Sequence, residues 1–120
     1  MALLPAICEE LLCRGMLLQG LSTKSIPFGV LMSALLFSLM HANPMQTVHQ
    51  FCLGVVLAII ALISGSIIPC MIVHFLNNFI TLTVSAYLPE IDRLIEDLGA
   101  WNYLTGSVSF IVGGICLVLL

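Results

Sequence analysis

Between Ser25 and Pro89 the sequence contains no aspartate, glutamate, lysine or arginine. A soluble domain draws about a quarter of its residues from those four types, so no water-exposed surface can be built from such a run. It is also too long for a single membrane crossing, which takes about 20 apolar residues. Polar, turn-forming clusters interrupt it, and it therefore reads as several transmembrane helices. The whole chain agrees: of 120 residues, 61% are hydrophobic and 8% charged, with a mean hydropathy of +1.21. The net charge of −3 and the lack of any basic patch exclude a nucleic-acid partner and leave the lipid bilayer as the principal surrounding.

Five hydrophobic segments emerge, at about 1–20, 26–42, 45–64, 66–88 and 101–120. They predict an all-α fold, a polytopic transmembrane helix bundle, multi-pass in the cell membrane if the source is bacterial. The breaks carry turn chemistry. Gly20 to Ser25 ends the first helix and Pro27 opens the second. Asn43-Pro44 is a helix cap followed by proline, Ser64-Gly65-Ser66 is a tight polar turn, and Pro89 stops the fourth helix. The acidic, amphipathic stretch from Glu90 to Trp101 is expected at the interface, with Trp101 and Tyr103 as anchors. Lys24 in the first loop and the acidic later loop agree with the first loop being cytoplasmic. The five cysteines, Cys8, Cys13, Cys52, Cys70 and Cys116, have no CxxC spacing and read as core or lipid-facing residues. Glu9, Glu10 and Arg14 inside the first apolar run argue against a cleavable signal peptide. A helix beginning at Met1 and another ending at Leu120 give the expectation of a bundle truncated at its N-terminus, completed by upstream helices or a partner chain.

Ionisable groups inside spans are costly, about 2.5–3.5 kcal/mol each at a helix centre on insertion scales. The few present are therefore the candidate functional residues: Glu9, Glu10 and Arg14 on the first helix, His41 ending the second, His49 early on the third, and His74 with Asn77 and Asn78 on the fourth. Glu10 and Arg14 stand four apart and can pair on one helix face. Glu9 is rotated about 100° from Glu10 and can point toward another helix. His74 and Asn78 share a face, and Phe37, one turn before His41, can pack on its ring. Measured from the side of the first loop at about 1.5 Å per residue, Glu9 lies roughly 16 Å deep, His41 roughly 22 Å, His74 roughly 11 Å and Asn78 roughly 17 Å. Helix tilt and a kink near Pro69 are expected to absorb the spread. His49, beside Gln46 and Gln50 near the bilayer surface, reads as structural. Buried polar residues can simply glue helices together. Glue needs pairs, however, and Glu9, His41, His74 and Asn78 form a converging set.

Two chemistries fit. In one, Glu9 with His41 holds a water and takes its proton as general base, while His74 and Asn78 stabilise the oxyanion of a peptide carbonyl. In the other, Glu9, His41 and His74 ligate a catalytic zinc with an open fourth position. Either way activated water hydrolyses an amide without a covalent intermediate. There is no HExxH metalloprotease signature, no GxSG-type serine site, and no aspartate in any predicted helix for a paired-aspartate mechanism.

At these residues the sequence resembles the CPBP family of membrane endopeptidases (CAAX protease and bacteriocin-processing, also called the ABI family). EExxxR appears as Glu9-Glu10-Leu11-Leu12-Cys13-Arg14, FxxxH as Phe37-Ser38-Leu39-Met40-His41, and HxxxN as His74-Phe75-Leu76-Asn77-Asn78. Each motif alone is weak; three in order, each on its own helix, are strong together. Ser64 to Pro69 is similar to the family's lead-in to the last motif. The resemblance covers about residues 6–80 and implies that residues 1–120 carry a partial CPBP-type protease core. It implies Glu9 as the water-activating carboxylate beside His41, His74 and Asn78 as the oxyanion site, and Glu10 with Arg14 as a supporting pair. Zinc or no metal at all is compatible with it. The implied substrate is a peptide or protein C-terminus at the membrane, on prenylated or bacteriocin-like peptides. Family members carry several helices before EExxxR, and almost nothing precedes it here. The alternatives are a non-catalytic membrane immunity or scaffold protein on the same fold, and an ion or proton pathway through Glu9, His41 and His74.

Overall fold

The computed structural model describes residues 3–42 and 46–97. The Asn43-Pro44 cap, the segment 101–120, the anchors Trp101 and Tyr103, and Cys116 lie outside the described residues. Among the described residues there is no strand. The first segment is one helical rod in three stretches: α1 (Leu3–Glu10), a π-helical stretch (Leu11–Leu18) and α2 (Gln19–Ser22). It is followed by α3 (Ile26–Met40), α4 (Thr47–Ser64), α5 (Ile68–Tyr87) and α6 (Pro89–Asp97).

The helix ends follow from their residues. Ser25 caps α3, its hydroxyl accepting from the Phe28 backbone N–H at 3.3 Å, with Pro27 in the first turn. The turn after α4 uses Gly65 at φ 63°, a left-handed conformation that favours glycine. The Ser64 hydroxyl donates back to the carbonyl of Ile60 at 2.7 Å and ties off the helix end. Pro69 lies in the first turn of α5, where its missing N–H costs nothing. The expected kink at Pro69 is therefore absent; the proline begins the helix. The irregularity sits instead in the first rod, where the backbone turns π-helical directly after Glu10. Pro89 does end the fourth span, and the acidic stretch after it forms the helix α6 over residues 89–97.

The interior joins all four long elements. Cys13, Phe37, Leu53, Leu57, Ile60, Cys70 and Val73 are buried against one another. The outside is apolar as well. Leu4, Met16, Ile26, Ile63, Ile68 and Phe79 are all exposed, whereas Glu10, Arg14 and His74 are buried. Polar groups inside and hydrocarbon outside is the arrangement a bilayer selects. α4 and α5, with 18 and 20 residues, are each long and apolar enough to cross one. The molecule is an all-α membrane helix bundle. Among the described residues Cys13 and Cys70 are buried, Cys52 is partly buried and Cys8 is exposed.

Candidate active site

Ala6, Glu10, Cys13, Arg14 and Leu18 are buried along the first rod, and all but Cys13 stand in steps of four. In a regular α-helix a step of four over-rotates by about 40°, so such a stripe would drift off the interface within three steps. The π stretch turns more slowly per residue and cancels the drift. The consequence is that Glu10 and Arg14 both point into the bundle. Glu10 Oε1 accepts from Arg14 Nη1 at 2.8 Å and from His74 Nδ1 at 2.9 Å. The other arm of Arg14, Nη2, donates to the carbonyl of Gly54 on α4 at 3.0 Å. The guanidinium carbon lies 4.6 Å from the centroid of the Phe37 ring.

Phe37 holds both imidazoles. Its ring meets His41 edge-on at 4.9 Å between centroids and His74 edge-on at 5.5 Å. Its backbone carbonyl accepts from His41 Nδ1 at 2.9 Å. A carbonyl can only accept, and a carboxylate paired with arginine can only accept. Each histidine must therefore carry a proton on Nδ1, which turns Nε2 of each ring toward Glu9.

Glu9 sits one residue before Glu10 and approaches the other ring nitrogen of His74, together with His41. Its Oε2 is 3.7 Å from His41 Nε2 and 3.7 Å from His74 Nε2. That is beyond hydrogen-bonding distance, and this buried oxygen has no hydrogen-bond partner among the described residues. Three helices thus bring a carboxylate and two rings together across gaps of 3.7 Å, which a water hydrogen-bonded to both sides could bridge only from beside the direct line. The cluster has a sealed and an open side. The side chains of His74 and Glu10 are 2% and 0% exposed, those of Glu9 and His41 26% and 23%. Just after His41 the chain turns back through Ala42 at φ 50°, a strained value for a residue with a side chain.

Asn78 is half-buried one turn beyond His74 and has no hydrogen-bond partner among the described residues. Asn77, its neighbour, is the buried amide. His49 is buried on α4 and partnered elsewhere. Two contacts escaped the sequence reading. The tie from Glu10 to His74 spans 64 residues, and the tie from Arg14 to the Gly54 carbonyl has no sequence signature at all. An apolar groove of about 880 Å³ runs between the start of α1 and the second half of α5. Ile7 and Phe75 line the end of it that lies next in sequence to Glu9 and His74.

Zinc would take Glu9 and the two Nε2 atoms as donors. Among the described residues, no three His, Cys, Asp or Glu side chains converge closely enough to ligate one ion. No step is derived through a metal.

A family model described as type II CAAX prenyl endopeptidase, Rce1-like, matches residues 1–80. The chain belongs to that family. No curated protein and no solved structure matches it. Family membership makes it a membrane-embedded protein of a peptidase family whose substrates are peptides at the bilayer. The matched residues include Glu9, Glu10, Arg14, His41, His74 and Asn78.

Proposed function

We propose that this chain is a multi-pass intramembrane endopeptidase that hydrolyses a peptide bond near a prenylated C-terminus, with water activated by Glu9. The observation that carries the reading is the placement of Glu9 Oε2 3.7 Å from two Nε2 atoms, each fixed by an acceptor behind its ring. A water in that gap donates one hydrogen to Glu9 and the other to His41 Nε2, leaving a lone pair for the substrate carbonyl. As the C–O bond forms, the water's proton passes to Glu9 and the carbonyl oxygen becomes an oxyanion. When its ring also carries a proton on Nε2, His74 donates to that oxyanion, and the Asn78 amide supplies a second donor. The tetrahedral adduct then collapses. The C–N bond breaks, the proton held by Glu9 goes to the leaving amine, and no bond to the enzyme is ever formed.

The apolar groove supports a lipidated substrate. Its wall is hydrocarbon and aromatic, including Leu4, Ile7, Phe75, Phe79 and Leu82. Among the described residues four crossings follow from this reading: the first rod, α3, α4 and α5. At 15 residues α3 spans only about 22 Å, less than the hydrocarbon thickness. His41, at its end, therefore lies about 22 Å along α3 from the first loop, short of the far face.

The test is cleavage of a prenylated peptide by the purified chain in proteoliposomes. His74→Ala is expected to lower kcat by roughly a hundredfold, as removal of an oxyanion donor does. Unaltered turnover would remove His74 from the mechanism. Stripping with a zinc chelator is expected to leave cleavage undiminished. A loss restored by added zinc would transfer water activation from Glu9 to an ion.

A further inference from the structure

We propose that Gly54 is a positioning residue for His74, acting from α4 through Arg14 and Glu10. The inference rests on the catalytic role given to His74 above. Among the described residues Glu10 accepts from His74 Nδ1, and Glu10 is itself held by one arm of Arg14. What holds Arg14 is the Gly54 carbonyl at 3.0 Å, taken by the other arm. The guanidinium is thereby stretched between two acceptors on different helices, a use of its fixed fork that an ammonium cannot copy.

Gly54 is special because of what lies on its other side. A Cβ added there would meet Ala34 of α3 at 2.9 Å from its Cα, 3.0 Å from its Cβ and 3.3 Å from its carbonyl oxygen. Those are largely backbone atoms and cannot give way as a flexible side chain would. Any side chain at position 54 therefore moves α4 away from α3 and carries the carbonyl with it. α3 also bears Phe37 and His41, so the same separation alters the frame in which both rings sit. One missing methyl group thus sets the spacing of the two helices and the anchor of the chain that aims His74.

The experiment is a double-mutant cycle between Gly54→Ala and Arg14→Lys in the full chain, in proteoliposomes. It is read by kcat and KM on a prenylated peptide and by the ¹⁵N shifts of the His74 ring. Each single variant is expected to lower kcat roughly tenfold to a hundredfold with little change in KM, the cost of displacing a reacting group. Each is also expected to move the His74 Nδ1 resonance. In the double variant the losses do not multiply, because both changes break the same link. Multiplying losses would place the effect of Gly54 outside the Arg14 link and overturn the proposal. So would an unshifted His74 resonance in either variant. Should Gly54→Ala fail to insert, Arg14→Lys decides alone: it leaves α3 and α4 packed, and full kcat in it overturns the proposal. The parent reading fails separately. If Glu9→Gln cleaves normally the mechanism is wrong, yet the ring resonance still reports on the link.

Discussion

Glu9→Gln is expected to lower kcat by about a thousandfold while insertion, yield and thermal unfolding stay as in the parent chain. Glutamine has the same size and shape, so the packing around α1 is preserved. What it lacks is a basic oxygen at the position of Oε2. That atom faces both Nε2 atoms, at 3.7 Å from each, and has no hydrogen-bond partner among the described residues. With an amide there, water can still sit in the gap but has nowhere to leave its proton. Because Oε2 forms no internal hydrogen bond, its loss also breaks none, and this is what separates the prediction from a folding defect. Cleavage at the parental rate would end the mechanism. A variant that cannot cleave but still protects cells from a bacteriocin would favour the immunity reading. A chain that conducts protons without needing any peptide would favour the pathway reading.

The sequence exposed the fold because a bilayer permits so little. An uncharged run from Ser25 to Pro89, cut by Ser64-Gly65-Ser66, has few other ways to fold. The site was legible for a related reason: every buried ionisable residue in hydrocarbon needs an explanation. Local spacing was enough to pair Glu10 with Arg14, to turn Glu9 away from Glu10, and to lay Phe37 against His41, and the structure has all three. Local spacing fails where the partner is a backbone atom or lies far along the chain. Nothing in a sequence marks the Gly54 carbonyl as an acceptor for Arg14. The choice of His74 over His49 as the partner of Glu10 depends on helix rotation across the bundle. The π stretch was equally hidden. Leu11 to Leu18 has no proline and only Gly15 as a breaker, and its departure from α geometry shows only in the step-of-four burial of Ala6, Glu10, Arg14 and Leu18. Proline is the usual cause of a kink, and the sequence therefore predicts one at Pro69. A proline in the first turn of a helix, however, bends nothing.

The second large effect concerns stability. Arg14→Ala is expected to destabilise the chain by about 3–5 kcal/mol, measured by reversible unfolding in detergent, because it strands the buried Glu10 carboxylate without its cation. Glu10 is 0% exposed and Arg14 1%, so water does not reach the orphaned charge. The Phe37 ring loses the guanidinium stacked on it in the same substitution. Removing both charges is a different matter. Among the described residues Glu10 Oε2 and Arg14 Nε are buried without hydrogen-bond partners even in the intact pair, so the ion pair is incompletely satisfied. A Glu10→Gln/Arg14→Met double variant is therefore expected to recover most of the lost stability, as buried pairs replaced by matched apolar or neutral groups do. It is not expected to recover cleavage, because His74 Nδ1 then faces an amide and its ring is no longer held toward Glu9. Recovery of both stability and turnover would mean that the pair serves only to join helices. A loss below about 1 kcal/mol in Arg14→Ala would mean that the pair is solvated like a surface ion pair, contrary to its burial. Stability restored without activity is the result that ties the pair to the chemistry, since it separates holding the bundle together from aiming a ring.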